Sequence, residues 1–203
     1  MILSWWRKSP FDDAAEQSSA GRFGMQLFIA SLAVLFIATW LGFIVLRVDA
    51  AAEWPADLPD MPQLLFVSTG LLVLSSATIQ LSLMLMRRGH RAPSAVMVLA
   101  TFMLGALFMV FQAFAWFEWH GALGARWGDS EAYRFSYAAF YVLTALHGAH
   151  VVGGLIPLAW VTIRASVGAY SSERHEGLLA VTWYWHFLDV VWIVLLLTLW
   201  WGV

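Results

Sequence analysis

Cysteine is absent from the 203-residue sequence, and charged residues make up only 12% of it. The lack of cysteine excludes disulfides and thiolate metal sites. A soluble domain carries about 25% charged residues, so the chain falls outside that class. A net charge of -2 gives no reason to expect nucleic acid as a partner. With 61% hydrophobic residues, the composition predicts an integral membrane protein.

Five apolar stretches are each long enough to cross a bilayer as a helix, which takes about 20 residues. Their apolar residues are too continuous for barrel strands, so we predict an all-α bundle of five transmembrane helices. We divide the chain into a cytoplasmic N-terminal tail, residues 1–24, and a transmembrane domain, residues 25–203. The tail lacks the apolar core of a signal peptide, so we expect it to be retained. The predicted spans are residues 25–48, 64–86, 94–119, 135–163 and 178–201.

Basic residues predict which side of the membrane each loop faces. Eight of the 11 lysines and arginines lie in the tail and in the second and fourth loops, and the other three lie on the opposite side. Because basic residues prefer the cytoplasm, we expect the N-terminus inside and the C-terminus outside. The predicted inner residues are Arg7, Lys8, Arg22, Arg87, Arg88, Arg91, Arg164 and Arg174, and the outer ones are Arg47, Arg126 and Arg134.

Polar side chains inside the predicted spans are informative because such groups are costly in hydrocarbon and rarely face lipid. The fourth span carries two histidines three residues apart, and the fifth carries a histidine and an aspartate at the same spacing, so each pair shares a helix face. A glutamine in the third span and a glutamate near its outer end are expected to be further buried polar groups. In chain order these residues are Gln112, Glu118, His147, His150, His186 and Asp189.

Two chemical functions compete for these groups. Metal or heme ligation would use the histidines, but di-iron bundles need a Glu-x-x-His motif from each of two helices, and none occurs. Two hemes stacked across a membrane need histidine pairs at two depths, and His147, His150 and His186 supply at most one pair. A proton relay needs several titratable groups, and Asp189 is the only central acid.

A structural role has the strongest physical motive. A charged, unpaired Asp189 at the middle of the membrane would cost about 2.5–3.5 kcal/mol. Asp189 and His186 can hydrogen-bond each other or reach across to His147 or His150, which would leave no orphan polar atom. We therefore expect these four residues to form a polar cluster that holds the last two helices together.

The C-terminal stretches "LHGAHVVGGLI" and "WYWHFLDVVWIVLLLTLWWG" resemble the last two helices of subunit III of the heme–copper cytochrome c oxidases. This motif is specific because it combines histidine and aspartate, which are rare inside a span, with fixed tryptophans. The stretches "GMQLFIAS", "LLVLSSATIQLS" and "LGALFMVFQA" are similar to the third, fourth and fifth helices of that family. The family's first helix pair has no counterpart, as in shorter bacterial members. The resemblance therefore implies a multi-pass protein of a bacterial plasma membrane.

The resemblance also implies a function, namely an accessory subunit of an oxidoreductase complex, without a catalytic centre, heme or copper of its own. Heme and copper would lie in partner subunits. The chain would dock on catalytic subunit I in a complex that also holds subunit II, bind phospholipids, and support the proton uptake and durability of subunit I. Arg164 and His175 match a family arginine and histidine and become candidates for contact with lipid headgroups. Ordinary anchoring at the cytoplasmic side is an equal alternative for Arg164.

Three positions depart from the family, which usually has glutamate where this chain has Leu32, Ala115 and Leu179. The first of those carboxylates lies near bound lipid in the family, so its loss weakens any proton-related role that depends on it. The alternative functions are the equivalent subunit of a quinol oxidase or of a nitric oxide reductase complex. An alternative of another class is a stand-alone heme-binding electron carrier of the membrane.

Overall fold

The computed structural model describes residues 14–50, 58, 60–123 and 131–202, and all regular secondary structure in these ranges is helical. The helices are α1 (Ala14–Asp49), α2 (Gln63–Arg87), α3 (Arg91–Leu123), α4 (Glu131–Ser166) and α5 (Glu176–Gly202). Each is long and apolar enough to cross a membrane, which confirms the predicted all-α, five-helix architecture.

Every predicted span lies inside the helix of the same rank, and α1 begins earlier than predicted, at Ala14. The division into tail and membrane domain and the cytoplasmic side of the N-terminus stay predictions. Arg7, Lys8 and Arg126, which entered the prediction of orientation, lie outside the described residues.

Glycines in the left-handed conformation end two of the helices. After α2, His90 N–H donates to Leu85 O (2.9 Å) and Gly89 N–H to Met86 O (3.0 Å), with a φ of +82° at Gly89. Gly168 ends α4 in the same way, with a φ of +71°. This pattern of two bonds satisfies carbonyls that would otherwise lack a donor, and it needs a residue without a Cβ. The short α2–α3 connection therefore forms an antiparallel hairpin.

Helices α2 to α5 form a closed ring, because α2 packs on α3, α3 on α4, α4 on α5 and α5 on α2. The α2–α3 pair is the most extensive of these contacts. Helix α1 lies outside the ring and packs on α5 and α4. Its most apolar stretch is only 11% buried, against 56% for α5.

Serines line the side of α2 that faces the interior of the bundle. Ser68, Ser75 and Ser82 are fully buried and recur every seven residues, so they lie along one side of α2, which we call the serine stripe. Ser82 Oγ donates to Ser94 O, and Ser94 Oγ donates to Ser82 O, both at 2.9 Å. Small side chains let two helix backbones approach in a membrane, and their hydroxyls add interhelical hydrogen bonds.

Trp185 is the residue at which the ring closes. It is 1% exposed, and its Nε1 donates to Ser75 Oγ on α2 at 2.9 Å. The far edge of its indole lies against α3 at Gly105, where a Cβ would fall 2.7 Å from ring atoms Cζ2 and Cη2. Trp185 therefore fixes the position of α5 against α2 and α3 together.

Candidate functional site

His147 lies at the centre of the bundle, where rings from three other helices surround it. Its side chain is fully buried, and its ring centroid is 5.0 Å from Trp192 of α5, 6.1 Å from Phe108 of α3 and 6.4 Å from Phe36 of α1. Neither ring nitrogen has a hydrogen-bond partner among the described residues. His147 therefore joins α4 to α5 by ring packing.

His150, one turn further along α4, faces α1. Its ring centroid is 5.0 Å from Phe36, and its Nδ1 lies 2.7 Å from Leu146 O. The backbone oxygen of His150 accepts a hydrogen bond from the Tyr184 hydroxyl of α5 at 2.9 Å. Gly154 makes room for that tyrosine, because a Cβ there would lie 2.6 Å from Tyr184 Cε1. The hydrogen bond between α4 and α5 is thus donated by Tyr184, which was not among the residues predicted from the sequence.

His186 points away from α4 and binds α2. Its Nδ1 is 2.6 Å from Ser76 Oγ, and its Nε2 donates to Gln80 Oε1 at 3.1 Å. Because residues two apart on a helix point about 200° apart, His186 faces α2 when Tyr184 faces α4. The expected cluster of four residues is therefore divided, with His147 and His150 on α4 and His186 on the α2 side.

Asp189 lies one turn after His186 and is buried. Its Oδ2 is 3.8 Å from His186 Nδ1, which is longer than a hydrogen bond. Neither carboxyl oxygen has a hydrogen-bond partner in the part of the chain that the structure describes. His186 and Asp189 are thus neighbours, but the described contacts of His186 are with Ser76 and Gln80.

The two remaining polar candidates behave differently. Gln112 is 3% exposed and donates from Nε2 to Ser68 Oγ at 3.3 Å, so it joins α3 to α2. Glu118, which we expected to be buried, is exposed. The buried side of α3 at this level carries Ala115 and Trp119, and one residue of helix turns Glu118 about 100° away from Trp119.

The hydroxyl groups of α2 are the part of the site that sequence reasoning missed. Trp185 and Trp192 donate to Ser75 Oγ and Thr69 Oγ1 respectively, each at 2.9 Å. These bonds fasten α5 to α2 on both sides of Asp189. The seven-residue spacing of the serine stripe predicts a buried helix face. The sequence does not indicate which tryptophan donates a hydrogen bond to which hydroxyl oxygen of α2.

Arg164 and His175, the candidates for lipid headgroups, lie at the same end of the bundle. Arg164 is exposed, and its guanidinium carbon is 5.5 Å from the ring centroid of Tyr170. Burial raises the pKa of the Tyr170 hydroxyl, and the charge of Arg164 opposes that rise. His175 is half-buried, with Nδ1 3.3 Å from Ser171 O. Of the two, Arg164 is the freer to contact a phosphate.

An ion pair fastens α1 at this same end. The guanidinium of Arg22 donates to both carboxyl oxygens of Glu176, at 2.7 and 3.2 Å. Both side chains are about half exposed. The pair therefore joins the beginning of α1 to the beginning of α5 at the bundle surface.

A groove of about 580 Å³ opens between α1, α4 and α5, and we call it the α1 groove. Its lining includes Met25 and Leu32 of α1, Gly153 of α4, and Ala180 and Tyr184 of α5. Met25 lies one turn from Arg22, and Ala180 lies one turn from Glu176, so the groove begins beside the ion pair. It combines apolar walls with a charged mouth.

The three positions where the family usually has glutamate have apolar surroundings. Leu32 lines the α1 groove, and Ala115 and Leu179 are buried in the hydrophobic core. An acid at any of them would need a partner that the apolar residue does not. No group of three or more histidine, aspartate or glutamate side chains in the described ranges is placed to hold a metal ion.

Known proteins are similar to this chain over nearly its whole length. The family model for cytochrome c oxidase subunit III matches residues 11–203. Cytochrome c oxidase subunit 3 of Locusta migratoria is 32% identical, over 99% of this chain and 79% of the relative. The protein of the same name from Cyanidium caldarium is 28% identical, over 99% and 77%. A probable cytochrome c oxidase subunit 3 from the bacterium Nocardia farcinica is 29% identical, over 87% and 85%.

These matches confirm the resemblance found in the C-terminal motif. Together with five helices of spanning length, they show a multi-pass membrane protein that is a component of a multi-subunit oxidase. The chain belongs to the cytochrome c oxidase subunit III family.

Proposed function

We propose that the chain is the accessory subunit of a proton-pumping terminal oxidase in a bacterial plasma membrane and contributes no redox centre. It docks on catalytic subunit I, in a complex with subunit II, and holds phospholipid in the α1 groove. Bound lipid supports the stability of subunit I and its proton uptake during turnover. The family match supports the role as an oxidase subunit, and the α1 groove is the observation that carries the lipid-binding part of the proposal.

The walls of the groove suit an acyl chain. Leu32 makes the α1 side apolar where the family usually has an acid, and Gly153 leaves open space, since a Cβ there would meet no atom of the described residues within 4 Å. A volume of about 580 Å³ is in the range of pockets that hold small ligands. An apolar groove between helices is filled by hydrocarbon at little cost in a bilayer.

The mouth of the groove suits a phosphate headgroup. Arg22 and Arg164 both lie at this end of the bundle, and cations at membrane-interface depth attract anionic headgroups. Arg22 is already paired with Glu176, which leaves Arg164 as the main contact and Arg22 as a secondary one. Pro157, which also lines the groove, has no N–H, so the Gly153 carbonyl cannot receive the usual helical hydrogen bond.

Two glycines give a matched test of the groove. A Cβ at either Gly153 or Gly42 would meet nothing within 4 Å in the described part of the chain, but Gly42 lines a separate, smaller cavity between α1 and α4. We expect Gly153→Leu to lower the phospholipid that co-purifies with the complex and to shorten the period of sustained turnover. Gly42→Leu should retain the lipid. Equal lipid content in both variants and the parent, measured by mass spectrometry, would contradict lipid binding in the groove.

Purification through a tag on subunit I, in mild detergent, tests the rest of the proposal. This chain should co-purify, and a partner subunit with a copper-A domain would identify cytochrome c as the electron donor, whereas its lack would indicate quinol. The chain purified alone should show no Soret band. A stoichiometric Soret band lost on His147→Ala would overturn the accessory role.

A further inference from the structure

Two polar side chains reach the outer surface of the bundle at the middle of the membrane. Gln80 of α2 is exposed, and the side chain of His186 of α5 is 35% exposed. Gln80 lies five residues from the midpoint of α2, and His186 three from that of α5, so they are about 8 and 5 Å from the helix centres. The hydrocarbon layer extends about 15 Å to each side of its centre. Both groups therefore lie at a depth that headgroups do not reach.

The hydrogen bonds of this patch leave donors facing outward. An amide oxygen only accepts, so His186 Nε2 carries the proton in its bond to Gln80 Oε1. The other ring nitrogen, Nδ1, lies 2.6 Å from Ser76 Oγ. The Gln80 amide nitrogen makes no hydrogen bond with any residue in the described ranges. It presents two N–H donors at the surface.

Lipid tails cannot satisfy those donors. Polar groups in membrane spans almost always face the bundle interior, a water-filled cavity or a partner, because each unpaired group in hydrocarbon is costly. Here they face outward and there is no neighbouring headgroup. The surface is therefore one that another protein segment covers.

The residues around the patch fit a close helix contact. On α2, Gly70 and Ala77 are exposed and small, and a Cβ at Gly70 would lie more than 4 Å from every neighbouring side chain that the structure describes. On α5, Val190 and Ile193 are 61% and 40% exposed. Small residues on one helix and branched apolar residues on the next allow a further helix to pack closely. We call this surface, with Gln80 and His186 at one end of it, the α2–α5 face.

We propose that the α2–α5 face docks a transmembrane helix of the catalytic subunit, and that this helix carries a hydrogen-bond acceptor (a hydroxyl, amide or carboxylate oxygen) opposite Gln80. This inference rests on the proposed function and adds to it the surface by which the chain joins the complex. The α1 groove lies on another side of the bundle, so lipid and catalytic subunit would occupy separate faces.

Site-specific photo-crosslinking tests the occupant. A benzophenone amino acid replaces Ala77, on the α2–α5 face, or Val34, which is 68% exposed on α1 and serves as the control. Irradiation of native membranes that contain the whole complex should join position 77 to the catalytic subunit and position 34 to lipid. An adduct of position 77 with a second copy, with another subunit or only with lipid would overturn the proposal.

A substitution series measures the polar contact. Gln80→Leu should weaken retention of the chain on tagged subunit I about threefold, as for loss of one interhelical hydrogen bond. Ser31→Leu is the control, because Ser31 is exposed on α1 and its one hydrogen bond among the described residues is to Leu27 O of its own helix. Equal retention of the two variants would refute a role for Gln80. If the unsubstituted chain itself fails to co-purify with subunit I, the proposed function fails, whatever the crosslinks show.

Discussion

Replacing Gly105 by alanine should destabilise the bundle, although alanine is the better helix former. The new Cβ would lie 2.7 Å from two ring atoms of Trp185 and 3.2 Å from Leu155 Cδ2. Real Cβ atoms essentially never come so close, so one partner must move. Trp185 is poorly able to do so, because it is buried and its Nε1 is bonded to Ser75 of α2. The change would therefore separate α5 from α2 or from α3.

The size of the effect follows from two opposing contributions. Overpacking a well-packed interior costs about 1–3 kcal/mol, and the helix propensity of alanine returns up to about 1 kcal/mol. We expect Gly105→Ala to lower the free energy of unfolding by about 1–2 kcal/mol. The matched control is Gly148→Ala, whose Cβ would meet Met109 at an ordinary contact distance of 3.5 Å. That variant should be neutral or stabilised by up to about 1 kcal/mol.

A double-mutant cycle in detergent, with unfolding driven by SDS, measures the contact directly. Trp185→Phe shortens the ring that meets Gly105 and carries its own cost from the lost bond to Ser75. In that background Gly105→Ala should cost less than in the parent by about 1 kcal/mol or more. The packing account would be refuted if the cost is the same in both backgrounds, or if Gly148→Ala is as harmful as Gly105→Ala.

Three further outcomes are expected. Tyr184→Phe should lower the free energy of unfolding by about 0.6–1.7 kcal/mol, because it removes the bond to His150 O; an unchanged SDS unfolding curve would show that this bond does not hold α4 to α5. Single and double alanine variants of Arg22 and Glu176 should show a small favourable coupling in low salt that disappears at high ionic strength, since both side chains are about half exposed; coupling that persists in salt would contradict a surface pair. Asp189→Asn should leave the melting temperature unchanged or raise it, because neither oxygen of Asp189 has a hydrogen-bond partner among the described residues; a clear fall would reveal a partner that needs the charge.

The helices were predictable because each carries a continuous apolar stretch, which in lipid leaves a helix as the only satisfied backbone. The burial of His147 was predictable for the same reason, since a polar ring in a span is expected to face inward. Its neighbours were not, because Phe36, Phe108 and Trp192 come from three helices that are far apart in sequence.

The hydrogen-bond partners of His186 could not be predicted from the sequence. Spacing placed His186 and Asp189 on one face of a helix but could not say which neighbouring helix that face meets. The answer depended on Tyr184, whose contact with α4 turns His186 toward Ser76 and Gln80 of α2. Ser76 and Gln80 lie in the second predicted span, but nothing in the sequence indicated that they face α5.

The peripheral position of α1 has a consequence for the order of assembly in the membrane. Of the five helices, α1 is synthesised before the others, yet the helices that it contacts, α4 and α5, are synthesised last, after residues 50–130. Meanwhile α2 and α3 can pair as soon as their short turn is complete. Until α4 and α5 follow, α1 lacks its packing partners within this chain, and its most apolar stretch has the highest mean hydropathy of the five and the smallest buried share. That stretch suits a helix that stays stable in lipid until α4 and α5 pack against it.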